Sequence, residues 1–327
     1  CSRLQRGLAL PDSEGSQLSQ LLREHGLLIA RSSEAEPVSP EAVFALANSL
    51  ATAEELQNPD SAIHFSPEGG GSSEFPMVRM LGNDSSEGAR LCKLGYEWHV
   101  DSTDLTILAC REAPDAGGDT LFVSTHDLFD ALSDEQKERA RAMRVVYSNK
   151  YTAGGPAWRD AELGLRMNAS GTRMVRPATD RKAGWKMGDR LPLPACFERN
   201  GKTAMVLSPK NIEMVDDLAL EESQRLVQEL LQPGLDPCSD AKLDEDMMPL
   251  GSTSFGPAVL QHWWSPGDFV IWDNRAVMHS TSPVANYRGR RSMLQCMFSS
   301  SALRAGEKVD DKFFGMMNGS QESFADI

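Results

Sequence analysis

Apolar residues recur along this chain at two periods, and the changes from one to the other outline its elements. Ser16 to Glu24 has the spacing of a short amphipathic helix, His25-Gly26 stops it, and Leu27 to Ala30 reads as a first strand. Ser39-Pro40 supplies an N-cap and a first-turn proline for a helix to about Leu50. Ser133 and Gln136 make a capping-box pattern at the head of a helix through Met143, and Leu218 to Leu231 reads as another helix ahead of Pro233-Gly234. Strands are predicted at Met77 to Leu81, Leu105 to Cys110, Thr120 to Ser124, Val145 to Asn149, Ala204 to Leu207, Phe269 to Trp272 and Ser292 to Phe298. Many short strands with a few helices predict a mainly β fold with flanking helices, its two sheets packed as a double-stranded β-helix (jelly-roll) core. No internal repeat or low-complexity linker divides the chain, so 1–327 is taken as a single domain. Residues 58–75 hold Pro59, Pro67, Gly69-Gly70-Gly71 and several Ser, the composition of a mobile loop, and read as a lid over an active site.

Composition narrows the function classes. With 33 basic against 47 acidic side chains the net charge is −14, which argues against sequence-independent binding to nucleic acid or anionic membranes. No apolar run approaches the roughly 20 residues of a membrane-spanning helix, and no secretory signal pattern opens the chain. The first residue is Cys1 rather than Met, so loss of an N-terminal targeting segment is left open, with cytoplasm or an organelle lumen as the expected location. The cysteines at 1, 92, 110, 196, 238 and 296 include no Cys-x-x-Cys pair and are read as reduced thiols.

The chemistry concentrates in two places. In Glu97-Trp98-His99-Val100-Asp101, residues i and i+2 of an extended strand project to one face, so His99 and Asp101 can offer an imidazole and a carboxylate to one metal ion. Far along the chain, Pro266-Gly267 marks a turn, Phe269 to Trp272 a buried strand, and Asp273-Asn274-Arg275 a polar corner delivering His279. Two His and one carboxylate occupy one face of an octahedron and leave positions open, the pattern of non-haem Fe(II) oxygenases. Three protein ligands and a water would also serve zinc. Arg291 follows His279 at the head of the strand Ser292 to Phe298, where its fixed charge suits a carboxylate.

Taken in order, these segments resemble the taurine dioxygenase-like (TauD/TfdA) family of Fe(II)/2-oxoglutarate-dependent oxygenases. The resemblance covers most of the chain. It includes Trp98 to Asp101, Gly117-Gly118-Asp119-Thr120, Leu193-Pro194 to Leu207 with the following helix, Pro266-Gly267-Asp268 through Trp272-Asp273-Asn274-Arg275, His279 and the Arg290-Arg291 pair. It implies Fe(II) held by His99, Asp101 and His279, with 2-oxoglutarate as co-substrate alongside O2. The distal carboxylate of 2-oxoglutarate would meet Arg291, with Thr120 adding a hydroxyl. A homodimer is left open.

The substrate pocket departs from the taurine-using branch. That branch carries an Arg four residues beyond the cofactor-binding one, and here the position is Gln295, which cannot supply the same charge. Lys93-Leu94-Gly95-Tyr96-Glu97 lacks the Asn found there in taurine enzymes. Taurine is therefore disfavoured. His64, Tyr96, Lys150 and Gln295 are the substrate-side candidates, and Arg173, Arg176, Arg288 and Arg290 are further cations for an acidic ligand. Asp273 and Arg275 are expected to brace the loop that carries His279, and His25, His126 and His262 are read as structural.

The expected activity is hydrogen abstraction from a small polar, carboxylate-bearing or amino-acid-like substrate. It would end in hydroxylation or in an oxidative ring closure like that of the kainoid-forming enzymes of the same superfamily, with succinate and CO2 as co-products, in a specialised biosynthesis. A catabolic sulfonate or organic-acid dioxygenase is the alternative within the class. A zinc hydrolase or a non-catalytic jelly-roll metal-binding module is the alternative outside it.

Overall fold

The computed structural model describes residues 9–31, 37–58, 61–65, 70–82, 90–91, 96–101, 103–114, 118–147, 192–208, 212–235, 258–281 and 290–304. The N-terminal elements are α1 (Asp12–His25), β1 (Leu27–Ala30), α2 (Pro40–Ala47), α3 (Ala53–Gln57), β2 (Val78–Gly82), β3 (Arg90–Leu91), β4 (Tyr96–His99) and β5 (Leu105–Glu112). There follow β6 (Thr120–Ser124), α4 (Thr125–Asp130), α5 (Asp134–Ala142), β7 (Arg144–Tyr147), β8 (Leu193–Pro194), β9 (Cys196–Arg199), β10 (Lys202–Met205), β11 (Ile212–Val215) and α6 (Leu220–Leu235). The last are β12 (Val259–His262), β13 (Phe269–Asp273), β14 (Val277–Thr281), β15 (Ser292–Phe298) and α7 (Ser301–Arg304).

Two sheets face each other. The larger has the order β1-β13-β5-β15-β2-β3, the smaller β12-β6-β14-β4, and among the described residues only the β2/β3 pair is parallel. Alternation along β5 and β15 explains the layering. Leu105, Ile107, Ala109, Leu294, Cys296 and Phe298 pack outward against Leu22 of α1 and Val43 and Leu46 of α2. Their neighbours Leu108, Cys110 and Met293 pack inward, with Val270 and Trp272, against Phe122 and Val277 of the smaller sheet. The other face of that sheet, through Leu121, Val123 and Met278, is covered by Leu128 of α4 and Leu230 and Leu231 of α6. This is a double-stranded β-helix with helices on its outside.

Several predicted boundaries move for physical reasons. The helix expected to stop at Leu231 continues through Pro233 to Leu235. Proline cannot donate to the Glu229 carbonyl one turn back, and Gln136 Nε2 of α5 reaches that carbonyl at 3.4 Å instead. Gly234 lies against Leu128, where a Cβ would meet a methyl carbon at 2.7 Å, so the helix end docks rather than frays. The corner after β13 is a tight turn over residues 274–276, and His279 sits in the middle of a paired strand rather than on the corner. At Gly26, φ is +73° and an added Cβ would lie 2.5 Å from that of Ala276, so glycine is required twice over where α1 turns into β1. Among the described residues no helix is long and apolar enough to cross a membrane. Cys110, Cys196 and Cys296 are free thiols, while the other cysteines lie outside the described residues.

Candidate metal centre and its pocket

Antiparallel pairing of β14 with β4 sets His279 directly opposite His99. The imidazoles are buried, each 6% exposed, and their ring centroids are 4.1 Å apart. Asp101, two residues past His99, turns its carboxylate between them. Its Oδ1 lies 3.8 Å from His99 Nε2 and its Oδ2 3.7 Å from His279 Nε2. One donor atom from each of the three lies within 4.8 Å of the others, the only such cluster among the described residues. The strand spacing explains the His99–Asp101 half, and the sheet register supplies His279.

Asn274 fixes the carboxylate. Its Oδ1 accepts from the Asp101 backbone N–H and from Trp272 Nε1, both at 3.0 Å. Its Nδ2 donates at 3.0 Å to the Thr103 carbonyl and to Thr106 Oγ1. Both sides of the amide are thus committed, and two N–H donors define which side is oxygen. Thr106 in turn donates to Asp101 Oδ2 at 2.7 Å. Trp272, fully buried, places its ring centroid 4.8 Å from that of His279. The sequence displays Trp272-Asp273-Asn274 as a motif, but nothing local in it assigns Asn274 and Thr106 to Asp101.

Asp273 braces the turn, as expected. Its carboxylate accepts from the Arg275 backbone N–H, Nε and Nη2, and from Arg199 Nη2, all between 2.9 and 3.0 Å. Burial works against its charge, but the guanidinium groups of Arg275 and Arg199 outweigh that and hold the carboxyl below its ordinary range. Arg199 is a partner the sequence did not suggest.

On the apolar floor between the sheets, Thr120 is 1% exposed and accepts from Trp264 Nε1 at 3.1 Å. The adjacent arginines separate. Arg290 lies at the sheet margin, 3.3 Å from Glu112. Arg291 is 4% exposed. Burial pushes the Cys110 thiol up to about 12, and the charge of Arg291 partly opposes that. Arg291 stands two residues before the inward-facing Met293, on the same side by strand alternation.

The substrate-side candidates do not all converge. Gln295 is buried on the same face as Met293, and its Oε1 accepts from Arg79 Nε at 2.8 Å across the β15/β2 pair. The Arg79 guanidinium also lies over the Phe65 ring, 4.4 Å from its centroid. Arg79 was not anticipated, because only the register Gln295 to Arg79 reveals it. His64 is exposed, with Nε2 3.0 Å from the Leu56 carbonyl. Tyr96 lies in β4 and pairs through its backbone with Thr281, while Lys150, Arg173, Arg176 and Arg288 lie outside the described residues. The described parts of the 58–75 segment run beside the larger sheet, with Ile63 N–H donating to the Met297 carbonyl and Met80 N–H to the Gly70 carbonyl. His126 bonds the Thr203 carbonyl through Nδ1.

Fold and donors together define a jelly-roll protein with a centre of two histidines and one carboxylate. The model of the taurine catabolism dioxygenase TauD, TfdA family matches residues 3–232 and 257–297, and the chain belongs to that family. A (S)-phenoxypropionate/alpha-ketoglutarate-dioxygenase from Sphingobium herbicidovorans is 24% identical over 211 residues, covering 62% of this chain and 61% of that one. An alpha-ketoglutarate-dependent sulfonate dioxygenase from Saccharomyces cerevisiae is 24% identical over 282 residues, 83% of this chain and 57% of that one. The chain thus spans about three fifths of the length of these relatives. Among solved structures, AAD-2 in complex with Mn(II) and N-oxalylglycine superposes with a TM-score of 0.59 at 17% identity, covering 91% of this chain and 90% of that one.

The family uses Fe(II) and 2-oxoglutarate. The donor set fits that metal: two imidazole nitrogens and a carboxylate oxygen, buried and converging, are the ligands non-haem Fe(II) takes.

Proposed function

We propose that this protein is an Fe(II)- and 2-oxoglutarate-dependent oxygenase acting on a small anionic substrate. The observation that carries the reading is the convergence of His99, Asp101 and His279 at one buried point facing an apolar interior. When bound there, iron and 2-oxoglutarate together would supply the oxidant for hydrogen abstraction, releasing succinate and CO2.

The chain's own residues would do the rest. His99 and His279 present imidazole nitrogens, and Asp101 presents a carboxylate whose orientation Thr106 and Asn274 hold. Arg291 and Thr120 would receive the far carboxylate of 2-oxoglutarate, a charge-assisted pairing in a site that excludes water. The fixed charge of Arg291 favours a dicarboxylate co-substrate over the water that a zinc hydrolase would activate.

For the substrate, Arg79 restores on β2 a cation that Gln295 lacks on β15. Inward neighbours on β5 and β15 set that position one step from Thr106, since Gln295 pairs with Leu108 and Met297 with Thr106. A carboxylate or another acidic group held by Arg79 would sit on the inward face of the larger sheet, one strand beyond Gln295 from β5. The relatives named for (S)-phenoxypropionate and sulfonate oxidation also support an anion. Hydroxylation and oxidative ring closure of an amino-acid-like acid both begin with the same hydrogen abstraction, and the pose fixed from Arg79 would decide between them.

The test is anaerobic absorption spectroscopy of the protein with Fe(II), then 2-oxoglutarate. A weak visible charge-transfer band in the wild type and none in His99→Ala is the expected result. Folded, iron-loaded protein that gives no band would remove the oxygenase reading and return the zinc alternative.

A further inference from the structure

We propose that Trp264 is a positioning residue that turns the Thr120 hydroxyl into a donor aimed at the far carboxylate of 2-oxoglutarate. The inference rests on the proposed co-substrate pocket and goes beyond it, because it concerns a side chain assigned to neither the metal nor the co-substrate, acting through Thr120.

A threonine hydroxyl has one proton and can accept as well as donate, so alone it does not distinguish an anion from a donor. An indole N–H only donates. Trp264 Nε1 lies 3.1 Å from Thr120 Oγ1, and both residues are buried. The Thr120 oxygen therefore accepts from the indole, and its proton is left to point elsewhere. Trp264 packs in the same inward cluster as Cys110 and Met293, and Arg291 stands two residues before Met293, on the same side by strand alternation. On the proposed reading, an oxygen acceptor arriving at that end of the cluster would meet the guanidinium together with a hydroxyl already oriented as a donor. Orientation made before binding is not a cost of binding.

The indole is itself held. The ring of His262 stands edge-on to it, with centroids 4.4 Å apart and planes at 87°. His262 Nε2 lies 3.3 Å from Asp268 Oδ2, and the same carboxylate oxygen accepts from Ser265 N–H at 3.0 Å. The turn that carries these residues is clamped to β5. Gly267 N–H donates to the Cys110 carbonyl, and Cys110 N–H donates to the Asp268 carbonyl, both at 2.9 Å. The His262–Asp268 pair, structural on the sequence reading, thus supports the wall of the pocket. His262 also pairs with Thr120 across β12 and β6, so one strand pair carries both ends of this chain of contacts.

The experiment is calorimetric binding of 2-oxoglutarate, without oxygen, to Mn(II)-loaded protein. Trp264→Phe keeps the ring and removes the N–H, and it should weaken 2-oxoglutarate about three- to tenfold while leaving Mn(II) binding alone unchanged. Thr120→Val should weaken it at least as much, and the double variant should be no worse than Thr120→Val. Wild-type affinity in folded Trp264→Phe, or losses that multiply in the double variant, would overturn the proposal. Wild-type protein that binds Mn(II) but no 2-oxoglutarate would overturn the pocket reading itself, an outcome distinct from either. A second measurement reads the indole directly. In Zn(II)-loaded protein, the Trp264 indole N–H resonance, assigned by its loss in Trp264→Phe and so distinguished from that of Trp272, should move when 2-oxoglutarate is added to the wild type and stay in place at saturation in Thr120→Val. The same shift in both proteins would count against Trp264 acting through Thr120.

Discussion

Thr106 Oγ1 accepts from Asn274 Nδ2 at 3.0 Å and donates to Asp101 Oδ2 at 2.7 Å, so one hydroxyl passes the orientation of a corner amide on to a candidate metal ligand. Because the amide proton enters the hydroxyl oxygen, the hydroxyl proton is committed to Asp101. The three residues come from the strand end after β4, from β5 and from the turn after β13, and they meet only when both sheets are in place.

Asn274→Ala removes four hydrogen bonds and frees Asp101 to rotate. Partners that orient a ligand typically contribute about 10- to 100-fold in metal affinity. Fe(II) or Mn(II) affinity, measured by anaerobic titration, should fall within that range, with a smaller loss in Thr106→Val. Unchanged affinity in both would leave the network with a purely structural role.

The adjacent arginines should behave differently. Arg291→Gln removes a buried guanidinium, and a charge-assisted hydrogen bond of about 1.5 to 3 kcal/mol translates into roughly 10- to 150-fold weaker 2-oxoglutarate binding. Arg290→Gln breaks a part-exposed ion pair with Glu112 and should leave 2-oxoglutarate affinity within about twofold of wild type. The reverse pattern in succinate release would move the anchor to Arg290.

Arg79→Met should spare 2-oxoglutarate binding and remove the advantage of acidic substrates. In a succinate-release screen, an acid and its neutral amide should differ about tenfold or more in the wild type and converge in the variant. Equal preference in both proteins would assign Arg79 a structural role, packed on Phe65 and bonded to Gln295.

Asp273 makes a prediction about acid stability. Folding lowers its pKa, so the unfolded chain binds more protons at this site as pH falls. Its contribution is full above the ordinary carboxylate range and is lost as pH drops through that range toward the native value. Asp273→Asn, which leaves Arg275 and Arg199 buried without their anion, should cost about 3 to 5 kcal/mol near neutral pH. Urea unfolding at a series of pH values should show that loss shrinking in acid. A loss independent of pH would mean that shape, not charge, is what Asp273 supplies.

The sequence by itself determined the elements whose signals are local. Thr120–Ser124 and Ser292–Phe298 fall where the apolar runs predict them, because strands buried on both faces read as continuous apolar segments. The capping box at Ser133 and Gln136 is likewise a short-range pattern, and it forms. The spacing of His99 and Asp101 marked them as a candidate pair, and the segment around His279 gave that pair its weight. What only the tertiary structure decided are the partners that register brings together from distant segments. His279 meets His99 because β14 pairs with β4 in one alignment, and a shift of one residue would turn its imidazole to the other face. Arg79 reaches Gln295 by the register of β2 on β15, and Asn274 reaches Asp101 across the gap between the sheets. Periodicity tells a strand which faces it has; the neighbour each face meets is set by packing the whole chain around one core, and in this protein that is where the site is made.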